Sequence, residues 1–127
     1  MIPKYRAWDR IRKTMYEADD IVSINFGKSE ICVKTLFFEQ VNRYNFDDIV
    51  LMQSTGLTDK NGKEIFEGDI VDSEGGFTTG VVEFRSDLGM FVSTLIKYNN
   101  FERLCNAHGL VKVIGNIYEN PELLEVN

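Results

Sequence analysis

Short apolar runs, bounded by glycine or by clusters of polar turn residues, recur along the chain, and few of them keep a helical spacing. The clearest stretch is Gly56-Leu57-Thr58-Asp59-Lys60-Asn61-Gly62-Lys63-Glu64-Ile65-Phe66-Glu67-Gly68-Asp69-Ile70-Val71. Residues 59–62 suit a short hairpin loop, with a type I turn over Lys60 and Asn61 and a positive φ at Gly62 to close it. A strand is then expected over residues 64–71, bending sharply at Gly68, where no Cβ stands in the way.

Upstream, Tyr5 to Trp8 and Met15 to Tyr16 flank a polar, charged loop from Asp9 to Thr14, which predicts an N-terminal hairpin rather than a helix, since apolar residues do not recur at three and four. Residues 21–26 form a β-branched run, Gly27-Lys28-Ser29-Glu30 a turn and residues 31–38 the returning strand. Residues 39–50 are polar around Phe46, Ile49 and Val50 and are expected to form a connector carrying a turn of helix.

Downstream, Glu74-Gly75-Gly76 predicts a flexible loop, residues 80–84 a strand, Ser86-Asp87-Leu88-Gly89 a turn and residues 90–96 a further strand. Asn100 is placed to cap a short helix with Phe101, Leu104 and Cys105 on one face, and Gly109 to end it in the left-handed conformation. Residues 111–118 supply the closing strand. Asn120-Pro121 then starts a final turn over residues 122–124. Five short strands with one helical turn before the last describe a mainly β chain. The expected architecture is an N-terminal antiparallel β subdomain with its connector (residues 1–50) and a small SH3-like barrel (residues 51–127), together forming one compact unit.

Composition narrows the functional classes. Among 127 residues there are two cysteines, Cys32 and Cys105, and one histidine, His108, so neither a Cys-x-x-Cys pair nor a conventional zinc site is expected. No apolar run approaches 18 residues, and no basic-then-apolar leader opens the chain. Together with the unpaired cysteines this points to a cytoplasmic protein that does not span a membrane. The first 50 residues hold 8 Lys+Arg and 8 Asp+Glu, and the remainder 6 and 12, so the net charge of −6 lies in the C-terminal part. Such a surface disfavours general nucleic-acid binding, which draws its affinity from neutralising phosphates.

Candidate chemistry is sparse. The carboxylates Asp47, Asp48, Asp59, Glu64, Glu67, Asp69, Asp72 and Glu74 do not follow EF-hand spacing, and no metal is expected. Asp69, ahead of an apolar pair, is read as a hydrogen-bond acceptor for a turn amide, and His108 as a cation at a helix end. Gly27-Lys28-Ser29 lacks the upstream glycine of a P-loop, and no serine sits in a Gly-x-Ser-x-Gly elbow. Neither an enzyme nor a cofactor is expected. The remaining feature is a basic N-terminal cluster. Lys4, Arg6, Arg10, Arg12 and Lys13 against Asp9 give a net +4, interleaved with Tyr5 and Trp8. Tyr5, Arg6, Trp8, Arg10 and Arg12 are therefore the candidate interaction surface, with a competing assignment in which Tyr5 and Trp8 pack into the sheet.

Several ordered strings resemble the YopX family of bacteriophage and prophage proteins. They are Tyr5-Arg6-Ala7-Trp8-Asp9, Leu51-Met52-Gln53-Ser54-Thr55-Gly56-Leu57, the hairpin Asp59-Lys60-Asn61-Gly62-Lys63-Glu64-Ile65, Glu67-Gly68-Asp69-Ile70-Val71, and Val113-Ile114-Gly115-Asn116-Ile117-Tyr118-Glu119-Asn120-Pro121. The resemblance implies a small phage-encoded protein with an SH3-type barrel and no established activity. The expected function is a non-enzymatic module of the host cytoplasm that binds an unknown protein or itself as a homo-oligomer. The alternative is a nucleic-acid-associated accessory protein of phage replication or gene control.

Overall fold

The computed structural model describes residues 4–34, 40–73 and 79–125. It is mainly β, with antiparallel sheets, a curled SH3-like half-barrel and one short helix. The chain divides into two compact units, Met1–Gln53 and Ser54–Asn127.

In the first unit, β1 (Tyr5–Asp9) and β2 (Thr14–Tyr16) form the expected N-terminal hairpin, with Asp9 opposite Thr14 and Ala7 opposite Tyr16. Next come β3 (Ile21–Asn25), β4 (Glu30–Lys34) and β5 (Val41–Asn45), an antiparallel sheet in that order. The long β6 (Ile49–Thr58) runs beside β1, from Asp9 opposite Ile49 to Tyr5 opposite Gln53. On β4 the period-2 alternation of a strand sends Ile31 and Val33 inward. They join Ala7 and Ile49 in a buried cluster, with Tyr16, Ile24, Tyr44 and Phe46 packed against it.

In the second unit β6 continues against β7 (Glu64–Phe66). A five-stranded sheet follows, built from β8 (Asp69–Ser73), β9 (Gly80–Arg85), β10 (Met90–Leu95), β11 (Phe101–Arg103) and β12 (Val111–Asn116). Its order is β11-β10-β9-β8-β12, so the last strand closes onto β8. The helix α1 (Leu104–Ala107) lies between β11 and β12 and sends Leu104 into a cluster with Ile65, Val71, Val82 and Val111.

The loop at residues 59–62 is as expected. The Gly62 amide donates to the Asp59 carbonyl at 3.0 Å, and Gly62 has φ +84°. The strand expected over residues 64–71 is instead two strands, because Gly68 also adopts φ +84° and reverses the chain between them. The backbone of Gly68 is held from both sides, its amide donating to the Val82 carbonyl and its carbonyl accepting from the Ile117 amide.

The connector at residues 39–50 carries its helical turn at Phe46–Asp48, where Asn45 Oδ1 accepts from the Asp47 amide, but residues 41–45 form β5. Asn100 caps no helix: its Oδ1 accepts from the Phe101 amide, Phe101 lies on β11, and Cys105 is exposed while Leu104 is buried. Gly109 does not take a left-handed conformation, and a 3-10 turn over His108–Leu110 leads into β12. The final turn at Pro121–Leu124 forms, although Asn120 turns its side chain to accept from the Asn116 amide. The expectations for residues 35–38 and 74–76 lie outside the described residues.

Candidate functional site

The hairpin between β1 and β2 is organised around one carboxylate. Asp9 is fully buried at the end of β1 and accepts four hydrogen bonds. Its Oδ1 receives the amides of Ile11 at 3.0 Å and Arg12 at 2.9 Å, and its Oδ2 receives Tyr16 Oη at 2.7 Å and Arg12 Nη1 at 3.1 Å. Burial pushes the Asp9 carboxyl toward the neutral form. The donors outweigh it and hold the group below the usual carboxylate range. Tyr16 moves the other way: burial and its bond to Asp9 raise the phenol above its ordinary value, so it stays a donor.

These contacts fix what the loop shows to solvent. Arg12 lies over the Tyr44 ring, 4.2 Å from its centroid, and Tyr44 stacks on Tyr16 with centroids 5.6 Å apart. The bond to Asp9 raises the Arg12 guanidinium further and keeps it charged. Arg10 Nη2 donates to the Asp47 carbonyl at 2.7 Å, and the Arg10 amide donates to the Asp48 carbonyl. Lys13 takes φ +54°, a left-handed conformation that tightens the turn. Ile11, which stands between the two pinned arginines in sequence, is 66% exposed.

Of the five residues singled out in the sequence, Arg10 and Arg12 are exposed at this loop, whereas Arg6 and Trp8 are buried on β1. Tyr5 is half-buried, edge-on to Phe26 with centroids 6.1 Å apart. Sequence reasoning did not place Ile11, Tyr16 and Tyr44 at the site. Apolar or aromatic character alone cannot tell a loop tip from a core position, and the Arg10 contact to residue 47 spans 37 positions.

In the second unit the carboxylates serve turns. Asp59 accepts from the amides of Asn61, Lys63 and Val113 at 2.8–2.9 Å, tying the hairpin loop to β12. Asp69, also buried, accepts from the Phe66 amide at 2.8 Å, the turn-amide role read from its position. His108 lies at the end of α1, and its Nδ1 donates to the Thr58 carbonyl at 2.8 Å. A polar recess of about 620 Å³ lies beside Glu83, Arg85, Thr94 and Tyr98, but Glu83 accepts from Thr94 and Arg85 is paired with Asp87. Among the described residues no three His, Cys, Asp or Glu side chains gather as a metal site, and no helix is long and apolar enough to cross a membrane.

A curled barrel sheet, an N-terminal β unit and a clamped basic hairpin define a small all-β protein of the SH3-like barrel class. Residues 4–125 match the family described as YopX protein, and the chain belongs to that family. Two solved structures are similar over nearly their whole length. Protein EF1440 from Enterococcus faecalis is 32% identical with a TM-score of 0.66, covering 98% of this chain and 99% of its own. Protein yopX from Bacillus subtilis is 25% identical with a TM-score of 0.64, covering 96% and 98%. None of the curated proteins matches.

Proposed function

We propose that the chain is a non-enzymatic, phage- or prophage-encoded interaction module of the host cytoplasm, which binds a protein partner and copies of itself. The observation that carries this reading is the clamped hairpin: Ile11 exposed between Arg10 and Arg12, whose guanidinium groups are already held by the protein's own carbonyl, carboxylate and ring. A loop ordered before binding loses little conformational freedom on docking, so an exposed apolar side chain flanked in sequence by two held cations suits a partner with an apolar pocket and acidic side chains nearby. The nucleic-acid reading has less support. It draws on Arg6 and Trp8, which are buried, and a single-strand groove needs its aromatic faces open.

The test is recovery of the tagged chain from induced or infected cells, with and without nuclease. The expected result is a nuclease-resistant protein that is lost with Ile11→Asp, or with Arg10→Glu and Lys13→Glu together, while Arg12 keeps its clamp. Co-purification that vanishes on nuclease treatment would instead favour nucleic acid.

A further inference from the structure

The loop between β6 and β7 carries a pair of residues that can react with each other. Asn61 is the one asparagine of the chain followed by glycine, and Lys60, Asn61 and Gly62 are all exposed. In such a pair the backbone nitrogen of the glycine can attack the asparagine side-chain amide and close a five-membered imide, because glycine has no Cβ to obstruct the approach. The approach is open at this loop: nothing lies within 4 Å of the place a Cβ of Gly62 would take. Asn61 is tied to Asp59 through its backbone amide, and among the described residues no hydrogen bond holds its side chain. The Gly62 amide donates to the Asp59 carbonyl at 3.0 Å, and that bond must open before the nitrogen attacks, a local fluctuation of small cost in an exposed turn.

We propose that Asn61 is a modification site at which the folded chain converts slowly to isoaspartate, and that the conversion releases this loop from β12. The Gly62 nitrogen gives its proton to water and bonds to Asn61 Cγ, and the side-chain nitrogen leaves as ammonia. Water then opens the imide. Opening at the side-chain carbonyl gives aspartate, and opening at the main-chain carbonyl gives isoaspartate, in which the backbone runs through Cβ. The net exchange is water in and ammonia out, with no oxidant or second reactant. Isoaspartate lengthens the main chain by one methylene, and the loop has no slack to absorb it. The Asp59 amide donates to the Lys63 carbonyl at 2.8 Å, while the Asp59 carboxylate holds the amides of Asn61, Lys63 and Val113 together. A longer link between Asn61 and Gly62 cannot keep Asn61 and Lys63 on one carboxylate oxygen, and as Asp59 shifts it gives up Val113. The second tie to β12, from the Lys60 amide to the Val111 carbonyl, loosens with it. The reaction involves no part of the hairpin between β1 and β2.

Ageing the full, folded chain in warm, mildly alkaline buffer tests this. Peptide mapping should find isoaspartate at position 61 in excess over aspartate, and amide hydrogen exchange at Lys60 and Val113 should be at least about tenfold faster in the aged fraction than in the fresh one. Asn61→Gln alters an exposed side chain and keeps its amide, but ring closure would then need six members. It should convert at least about tenfold more slowly, with a fresh urea midpoint equal to that of the wild type. Freshly purified Asn61→Asp carries the new charge without the extra methylene and should keep Val113 protected. Conversion confined to the urea-unfolded chain, Asn61→Gln converting at the wild-type rate, or isoaspartate at position 61 with Val113 exchange unchanged would each overturn the proposal. Fresh Asn61→Asp with Val113 as exposed as in the aged chain would assign the release to charge and overturn the role of the lengthened backbone.

Discussion

Asp59 joins two amides of its own loop to one on β12, 54 positions away, and those bonds set both its charge and its contribution to stability. Burial works against its ionised form, but the amides of Val113, Lys63 and Asn61 outweigh that and hold the carboxyl below its ordinary value. Asp59→Ala leaves the three amides without their acceptor and should cost about 2–4 kcal/mol in urea unfolding. A depressed native value means that the stabilisation is complete above the unfolded value of about 4, and is lost as pH falls through the folded value. The acid limb of the stability profile should therefore be shallower in Asp59→Asn than in the wild type, with the difference confined to pH below about 4. At Asp9 the same logic adds two side-chain donors, Arg12 and Tyr16. Tyr16→Phe keeps the ring stack on Tyr44 but removes the phenol bond, and should cost about 1–2 kcal/mol by thermal or urea unfolding. Asp69 was legible at this scale, because an aspartate directly after a glycine turn has a nearby amide to accept. Asp9 was not, since its donors Arg12 and Tyr16 converge on it only once the hairpin has formed.

Strands that bury one side chain in two were readable, and strands without that signature were not. On β4 the inward Ile31 and Val33 declare the strand, whereas Val41-Asn42-Arg43-Tyr44-Asn45 offers only Tyr44 to the core and reads as connector. Residues 101–107 fail for a different reason. A single helical turn is too short for a period to show, so Phe101 on β11 and Leu104 on α1 were assigned to one helix face. Gly68 was seen as a bend, but its positive φ divides the expected strand into β7 and β8. Gly80 makes a different demand, which comes from close packing. It sits opposite Leu95 on β10 and opposite Val71 on β8, and an added Cβ would collide with Ser93 Oγ and stand 3.1 Å from the Thr94 carbonyl oxygen. Ser93 is buried and has little room to yield. Gly80→Ala should therefore destabilise the barrel sheet by about 1–3 kcal/mol, seen as a lower urea midpoint with an unchanged slope.

For the whole molecule, charge separates the two proposed readings more sharply than any motif does. The sequence carries −6 overall, and its first 13 residues hold a local +4. That cluster was legible from the spacing of its arginines. What the spacing could not give was its partition into buried and exposed members, which depends on strand register: Arg6 and Trp8 fall on β1 at buried positions, while Arg10 and Arg12 fall in the loop. The exposed remainder is partly neutralised, because Arg12 is already paired with Asp9. A single-stranded oligonucleotide thus meets at most Arg10 and Lys13 at the tip, with no open aromatic face among the five candidates beyond half-buried Tyr5. Counterion release scales with the number of phosphates neutralised, so two contacts supply a salt slope of about −1.4 and little affinity. Fluorescence anisotropy with a labelled oligonucleotide should show no saturable binding near physiological salt. At low salt any weak signal should disappear with Arg10→Glu and Lys13→Glu. Tight binding with a steep slope would mean that a larger basic surface forms than this arrangement of β1 and its hairpin provides, and would favour the nucleic-acid reading over the proposed protein-interaction one.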